Sequence, residues 1–138
     1  LIGKLNDEII EKLILNNINY KNLVSINKRK LIDEYINCDV VLFPSNYEGF
    51  GMPILEAQSV GRPVITSKIE PMKSVAGNAA VFVNPKKIKE ITKAVNLVIK
   101  NQTLRNSLIK KGFNNIKRFK KEIILKQHLK VYSKILAS

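Results

Sequence analysis

Two glutamates, Glu48 and Glu56, stand with seven residues between them in the run Phe43-Pro44-Ser45-Asn46-Tyr47-Glu48-Gly49-Phe50-Gly51-Met52-Pro53-Ile54-Leu55-Glu56-Ala57. Ionised carboxylates only accept hydrogen bonds, so their natural ligands are hydroxyls and cations. Gly49 and Gly51 flank Phe50, and two glycines around one residue let a backbone approach a ligand with no Cβ in the way. Pro53 suits the first turn of a helix, where its missing N–H costs nothing. The remaining N–H groups at such a helix start form an anion site. A carboxylate beside a phosphate is electrostatically unfavourable unless it binds hydroxyls. The run therefore fits a long ligand with both kinds of group: one carboxylate can accept from sugar hydroxyls while the other can grip a ribose. Taken singly, each part has a plainer reading. Glu56 alone is a helix-start acid, stabilised by about 0.3–1 kcal/mol through the macrodipole, and Gly-Phe-Gly alone is a common turn.

Other chemistry-bearing residues carry less. Cys38 is the single cysteine, so it forms no internal disulfide, and just before an apolar run it reads as a small buried hydrophobe. A reducing setting fits that usage. His128 is the single histidine and falls in the final helical stretch, where a solvated position is the expected one. No Asp-x-Asp pair is present to hold Mg²⁺ or Mn²⁺; Asp39 precedes a strand and Asp33 falls on a helical pattern. No metal site is expected.

The elements that must position the glutamates follow from periodicity. Short β-branched runs occur at Leu23 to Ile26, Val40 to Phe43, Pro63 to Thr66 and Ala80 to Val83, with Leu1-Ile2 as a remnant of a fifth. Between them, Ile9, Ile10, Leu13 and Ile14 mark one helical face, and Leu31, Ile32, Tyr35 and Ile36 another. Alternation of this kind, with strands apolar on both faces, predicts an α/β fold: a Rossmann-like parallel sheet with helices on both sides. Ligands of such sheets bind beyond the carboxyl ends of the strands, at the loops after Ile26, Phe43 and Thr66. After Pro85 the strands stop, and C-terminal basic helices are expected at about Lys87 to Lys100, Thr103 to Arg118 and Glu122 to Leu136. The last is amphipathic, with Ile124, Leu125, Leu129, Tyr132 and Ile135 on one side.

Size and composition agree with one core. The chain has 138 residues, 45% of them hydrophobic and only 7% aromatic, without Trp. No apolar run approaches the ~20 residues of a membrane span. Its net charge of +13 admits nucleic acid, an anionic membrane face or a phosphorylated substrate as partner. A Lys-rich compositional bias would produce the same excess. The opening Leu1-Ile2-Gly3 reads as the tail of a strand whose earlier part is absent.

Taken together, the glutamate run resembles the Glu-x7-Glu signature of retaining GT-B glycosyltransferases of the family four type. Pro44-Ser45, Glu48-Gly49-Phe50-Gly51, Pro53 and Leu55-Glu56-Ala57 stand where that pattern places them. Gly61-Arg62-Pro63-Val64-Ile65 resembles the family's next strand, and Ser74 to Ala80 with Val83-Asn84-Pro85 its following loop and strand. The resemblance runs from about Leu1 to Phe119. It implies the C-terminal, donor-binding half of a GT-B fold, with a nucleotide-sugar domain over 1–119 and a crossover helix over 120–138. It also implies that Glu48, as the catalytic residue, contacts hydroxyls of the transferred sugar and that the backbone of Gly49, Phe50 and Gly51 faces that sugar. Met52 and Pro53 would border the diphosphate, Glu56 would bind the ribose hydroxyls, and the loop with Asn27, where the family often has Gly, would border the base.

The family works without a metal, so no cofactor is expected beyond the nucleotide-sugar, with UDP ahead of GDP as the carrier. The family's Arg and Lys for the donor phosphate belong to a loop before residue 1, and the acceptor groups to an N-terminal domain. On this reading the 138 residues bind donor weakly and do not catalyse transfer alone. Cell-surface polysaccharide, lipopolysaccharide or glycolipid synthesis is the implied role, in the cytoplasm and with an anionic membrane face as a candidate partner. Two other readings stand beside it. A basic nucleic-acid-binding module would use the charge, but no recognisable motif for it appears and stacking aromatics are sparse, so nucleic acid is not expected as a partner. A GT-B enzyme of another activity, such as a sugar epimerase, would share the architecture.

Overall fold

The computed structural model describes residues 1–137, which fall into two compact units, Leu1–Glu34 and Tyr35 onward. In the first unit a short extended stretch pairs Ile2 with Leu23 in a single parallel bridge. Asn22 Nδ2 donates to Gly3 O at 2.8 Å beside it. Helix α1 (Asp7–Leu15) starts where Asn6 Oδ1 accepts from Ile9 N at 2.9 Å, and Asp7 and Glu8 fill its first turn. Both features stabilise the orphan N–H groups of a helix start. Glu34 accepts from Lys21 at 2.6 Å and Lys30 at 3.1 Å, and these hydrogen bonds hold its carboxyl below the usual range.

Two expectations for this unit are corrected. The strand expected over Leu23 to Ile26 shrinks to the Leu23 bridge, because Ser25 turns to φ +53°, out of extended backbone. The apolar face of α1 is only half formed. Leu13 and Ile10 are half-buried, whereas Ile9 and Ile14 are exposed, and α1 holds no buried residue. One bridged pair offers a helix face little to pack against.

The second unit carries the sheet. Strands β1 (Val41–Phe43), β2 (Val64–Ser67) and β3 (Val81–Val83) lie side by side in that order, all parallel, with Val41 opposite Val64 and Ile65 opposite Val81. Helix α3 (Met52–Ser59) connects β1 to β2, and the short α4 (Met72–Ala76) connects β2 to β3. All four residues of β2 are buried, as in a central strand covered on both faces. Ile65 and Val83 pack with Ala94 and Val98 of α5 (Ile88–Lys100) and Leu108 of α6 (Gln102–Asn115). Ile54, Val64 and Met72 are also fully buried. At about 1.5–3 kcal/mol per fully buried aliphatic side chain, this core is the main stabilising element of the unit.

The segment Ser74 to Ala80, expected as loop and strand, begins inside α4, where Met72 and Val75 are buried. Docking of those two side chains supports a helix shorter than sequence periodicity can reveal. The expected helix over Thr103 to Arg118 divides into α6 and a 3₁₀ turn, Ile116–Phe119.

Helix α6 crosses close to α3 at Gly112, where an added Cβ would stand 3.2 Å from Gln58 Cγ. Gln58 is buried and donates to Ala76 O and Ala79 O at 3.4 and 3.3 Å. Asn115 Nδ2 donates to Gln58 Oε1 and to Val75 O, both at 2.8 Å, and Asn115 Oδ1 accepts from Arg118 Nη1 at 2.8 Å. This buried polar cluster joins α3, α4 and α6 and satisfies carbonyls that the short α4 leaves open. The last helix, α7 (Lys121–Leu136), holds no buried residue; Leu125, Leu129, Tyr132 and Ile135 of its apolar stripe are exposed.

Candidate functional site

The site grows from the carboxyl end of β1. Pro44 follows Phe43 directly and cannot donate to a ladder, so side-chain hydroxyls take over there. Thr66 Oγ1 donates to Phe43 O at 2.9 Å, and Ser67 Oγ donates to Ser45 O at 2.6 Å. These two bonds tie the start of the loop to the end of β2. The loop carrying Glu48 is thereby anchored to the most buried strand of the unit.

Helix α3 begins at Met52, after Gly51 in the left-handed region at φ +99°. That φ favours glycine, and an added Cβ would also meet Ile54 Cδ1 at 3.2 Å. Pro53 lies in the first turn, and Ile54 N donates to Gly51 O at 3.0 Å. Because Pro53 has no N–H, Gly51 and Met52 supply the backbone donors at this positive helix end. Ile54 and Ala57 are fully buried and lock the helix, while Phe50 and Met52 are exposed.

The two carboxylates are held alike. Ser45 Oγ donates to Glu48 Oε1 at 2.8 Å, and the Tyr35 hydroxyl donates to Glu56 Oε2 at 2.9 Å. Both glutamates are half-buried, and among the described residues no hydrogen bond reaches the other oxygen of either. Neither takes part in an ion pair among the described residues. Tyr35, on α2 (Lys28–Asn37), is buried; burial first, and the Glu56 carboxylate second, push its phenol well above the ordinary range. On the other side of the loop, Phe50 meets Phe119 edge to face at 5.9 Å, and the Arg118 guanidinium lies 5.2 Å from the centre of the Phe119 ring. Such contacts hold an exposed loop ring in place.

The chain thus brings Glu48, Gly49, Phe50, Gly51, Met52, Pro53 and Glu56 together on one loop and one helix start. Asn27 belongs to the other unit, where its side chain accepts from Lys30 N at 2.9 Å and caps α2. Cys38 is half-buried and donates to Tyr35 O at 3.3 Å, and His128 is exposed on α7. A cavity of about 400 Å³ bounded by Asp39, Arg62 and Arg105 opens ahead of β1 and β2. Ligands of open parallel sheets bind at the opposite strand ends, so it is no part of this site. Tyr35, Thr66 and Ser67 escaped sequence reasoning. The only available signal for Tyr35 was a hydroxyl on an otherwise aliphatic helical face, which a buried tyrosine must satisfy.

A Rossmann-like parallel sheet with two half-buried carboxylates on the loop and helix that follow its first strand defines the class. Residues 3–115 match the family Glycosyl transferases group 1, and the chain belongs to that family. It is 28% identical over 102 residues to the N,N'-diacetylbacillosaminyl-diphospho-undecaprenol alpha-1,3-N-acetylgalactosaminyltransferase of Campylobacter jejuni, covering 72% of this chain and 27% of the relative. It is 31% identical over 98 residues to O-antigen chain mannosyltransferase B of Escherichia coli, covering 71% and 26%. The chain therefore spans about a quarter of the length of these relatives. Among solved structures, sucrose-phosphate synthase from Thermosynechococcus elongatus superposes with a TM-score of 0.81 at 22% identity, over 99% of this chain and 38% of that one. The C-terminal domain of a group 1 glycosyl transferase (LpcC) from Francisella tularensis superposes with a TM-score of 0.68 at 22% identity, over 80% and 59%. Both share the fold.

Proposed function

We propose that this chain is the nucleotide-sugar-binding part of a retaining, metal-independent hexosyltransferase that builds cell-surface polysaccharide, lipopolysaccharide or glycolipid. The observation that carries the reading is the pair of half-buried carboxylates, each held through one oxygen by an internal hydroxyl and, among the described residues, in no ion pair. Carboxylates presented in this way accept from ligand hydroxyls. Glu48 takes hydroxyls of the transferred sugar, and Glu56 takes those of the ribose. The donor diphosphate lies at the start of α3, against Met52 and Pro53, with the backbone of Gly49, Phe50 and Gly51 toward the sugar. Acceptor and further phosphate-binding groups come from outside these 138 residues, within the additional length of the relatives. The role in glycan synthesis rests on what those relatives are named for: transfer to an undecaprenol-linked sugar and assembly of O-antigen.

A thermal-shift panel with UDP, GDP, ADP and their sugar conjugates tests this. Stabilisation by one nucleotide class is expected, with UDP first, and Glu56→Ala is expected to remove most of it. Ligand at a hundred times its dissociation constant stabilises by about 2.7 kcal/mol, a shift easily read. A response confined to single-stranded oligonucleotide and abolished by salt would instead favour a polyanion-binding module.

The charge favours a membrane face as an additional partner at the cytoplasmic leaflet. Residues before 86 carry as many acidic as basic side chains, so the whole excess of +13 falls on residues 86–138, the stretch that holds α5, α6 and α7 and the turns around them. Each cation near an anionic surface contributes about 1 kcal/mol. No helix of the described residues is long and apolar enough to cross a membrane. The protein is expected to co-sediment with liposomes rich in anionic lipid at physiological salt and to leave them in high salt; failure to co-sediment would remove the membrane from the reading.

A further inference from the structure

We infer that Tyr35 is a positioning residue for nucleotide recognition, holding Glu56 so that a single carboxylate oxygen is presented to the ribose hydroxyls. The inference rests on the assignment of Glu56 to the ribose. A glutamate one turn into a helix has three rotatable bonds and loses that freedom when it binds. Here the loss is already met, because the Tyr35 hydroxyl donates to Glu56 Oε2 at 2.9 Å across 21 residues of sequence. Tyr35 cannot readily move: it is 8% exposed and sits at the end of α2, beside the half-buried Cys38, whose thiol donates to the Tyr35 carbonyl. With Ile54 and Ala57 fully buried on either side along α3, the carboxylate is fixed at both its backbone and its tip.

The direction of the bond matters. The hydroxyl is the donor and the carboxylate the acceptor, so the bond occupies Oε2 and leaves Oε1 as an acceptor. A charge-assisted bond that sets the plane of a carboxylate is pre-organisation, which improves affinity by reducing what must be ordered on binding. The same arrangement recurs at Glu48, where Ser45 Oγ takes Oε1 at 2.8 Å. The elevated phenol pKa of Tyr35 agrees with this, since it keeps the donor proton in place at every ordinary pH.

The test compares wild type, Tyr35→Phe and Glu56→Ala in the intact protein, measuring dissociation constants for UDP, GDP and ADP and for their 2′,3′-dideoxy counterparts. Wild type is expected to prefer one ribonucleotide over its dideoxy form, and Glu56→Ala to abolish the preference. Tyr35→Phe keeps the ring in the core and is expected to cut the preference by roughly tenfold, the scale of a hydrogen bond to a charged group. The preference is a ratio taken on one preparation, so partial unfolding of a variant does not enter it. In turnover, Tyr35→Phe is expected to raise the donor KM with little change in kcat. If Glu56→Ala abolishes the preference and Tyr35→Phe lowers Tm but leaves the ratio intact, Tyr35 is only structural and the inference is overturned while the ribose assignment stands. If wild type shows no ribose preference, or Glu56→Ala retains it, the ribose assignment itself is wrong and the inference falls with it.

Discussion

Replacing Glu48 with glutamine is expected to lower the turnover of sugar transfer by roughly 10²- to 10³-fold, the range found when one preorganised charge-stabilising group is removed from an active site. The argument runs through geometry and charge. Glu48 is half-buried in the loop after β1, and Ser45 Oγ, 2.8 Å away, holds one of its oxygens. Glutamine keeps the size and can still accept that bond, so the loop keeps its shape. On the proposed reading, what disappears is the negative charge beside a sugar that gains positive character as its bond to phosphate breaks. Hydrogen bonds from sugar hydroxyls to a carboxylate strengthen at that stage, so the loss appears in kcat more than in KM. Initial-rate measurements on the intact enzyme, at several donor concentrations, read both constants. An unchanged kcat with a raised KM would leave Glu48 as a binding group alone.

The largest effect on stability is expected at Asn115. Asn115→Ala should destabilise the fold by about 2–4 kcal/mol, since each buried polar group left unpaired costs about 1–3 kcal/mol. Its amide donates to Gln58 Oε1 and Val75 O and accepts from Arg118, and truncation leaves the Gln58 and Val75 acceptors without that donor in a site closed to water. In a chain of this size the corresponding fall in Tm is roughly 10 °C. Asn114→Ala, one residue earlier and exposed, is the control, expected within about 0.5 kcal/mol of wild type. Thermal unfolding followed by circular dichroism measures both. Gln58 lies two residues beyond Glu56 on α3, so nucleotide binding in Asn115→Ala is expected to weaken along with the fold. A Tm equal to that of the control would mean that the cluster contributes nothing net.

The two expectations draw on different kinds of information. The parallel strands, the helices after Pro85 and the loop from Pro44 to Met52 were legible along the chain. Hydrophobic period, β-branched runs and the Gly-Phe-Gly-Met-Pro order are all local signals, and their spacing is set by backbone geometry alone. Site residues from Glu48 to Glu56 are contiguous, so one stretch of chain was enough to propose them. The first unit was less legible. There the apolar run at Leu23 predicts a full strand, and a positive φ at Ser25, which nothing in the run signals, ends it after one bridge.

What the sequence determined by itself is therefore the α/β class, the loop and helix that carry the two glutamates and the acid-poor segment after Pro85 that bears the net charge. Tertiary structure alone decided how those glutamates are held. Tyr35 and Glu56 are 21 residues apart, Thr66 and Phe43 are 23 apart, and Asn115 and Gln58 are 57 apart. Hydroxyls and amides of this kind have no period and no fixed partner along a chain. They acquire one only when packing excludes water and leaves each buried polar group to find the donor or acceptor that the neighbouring element presents.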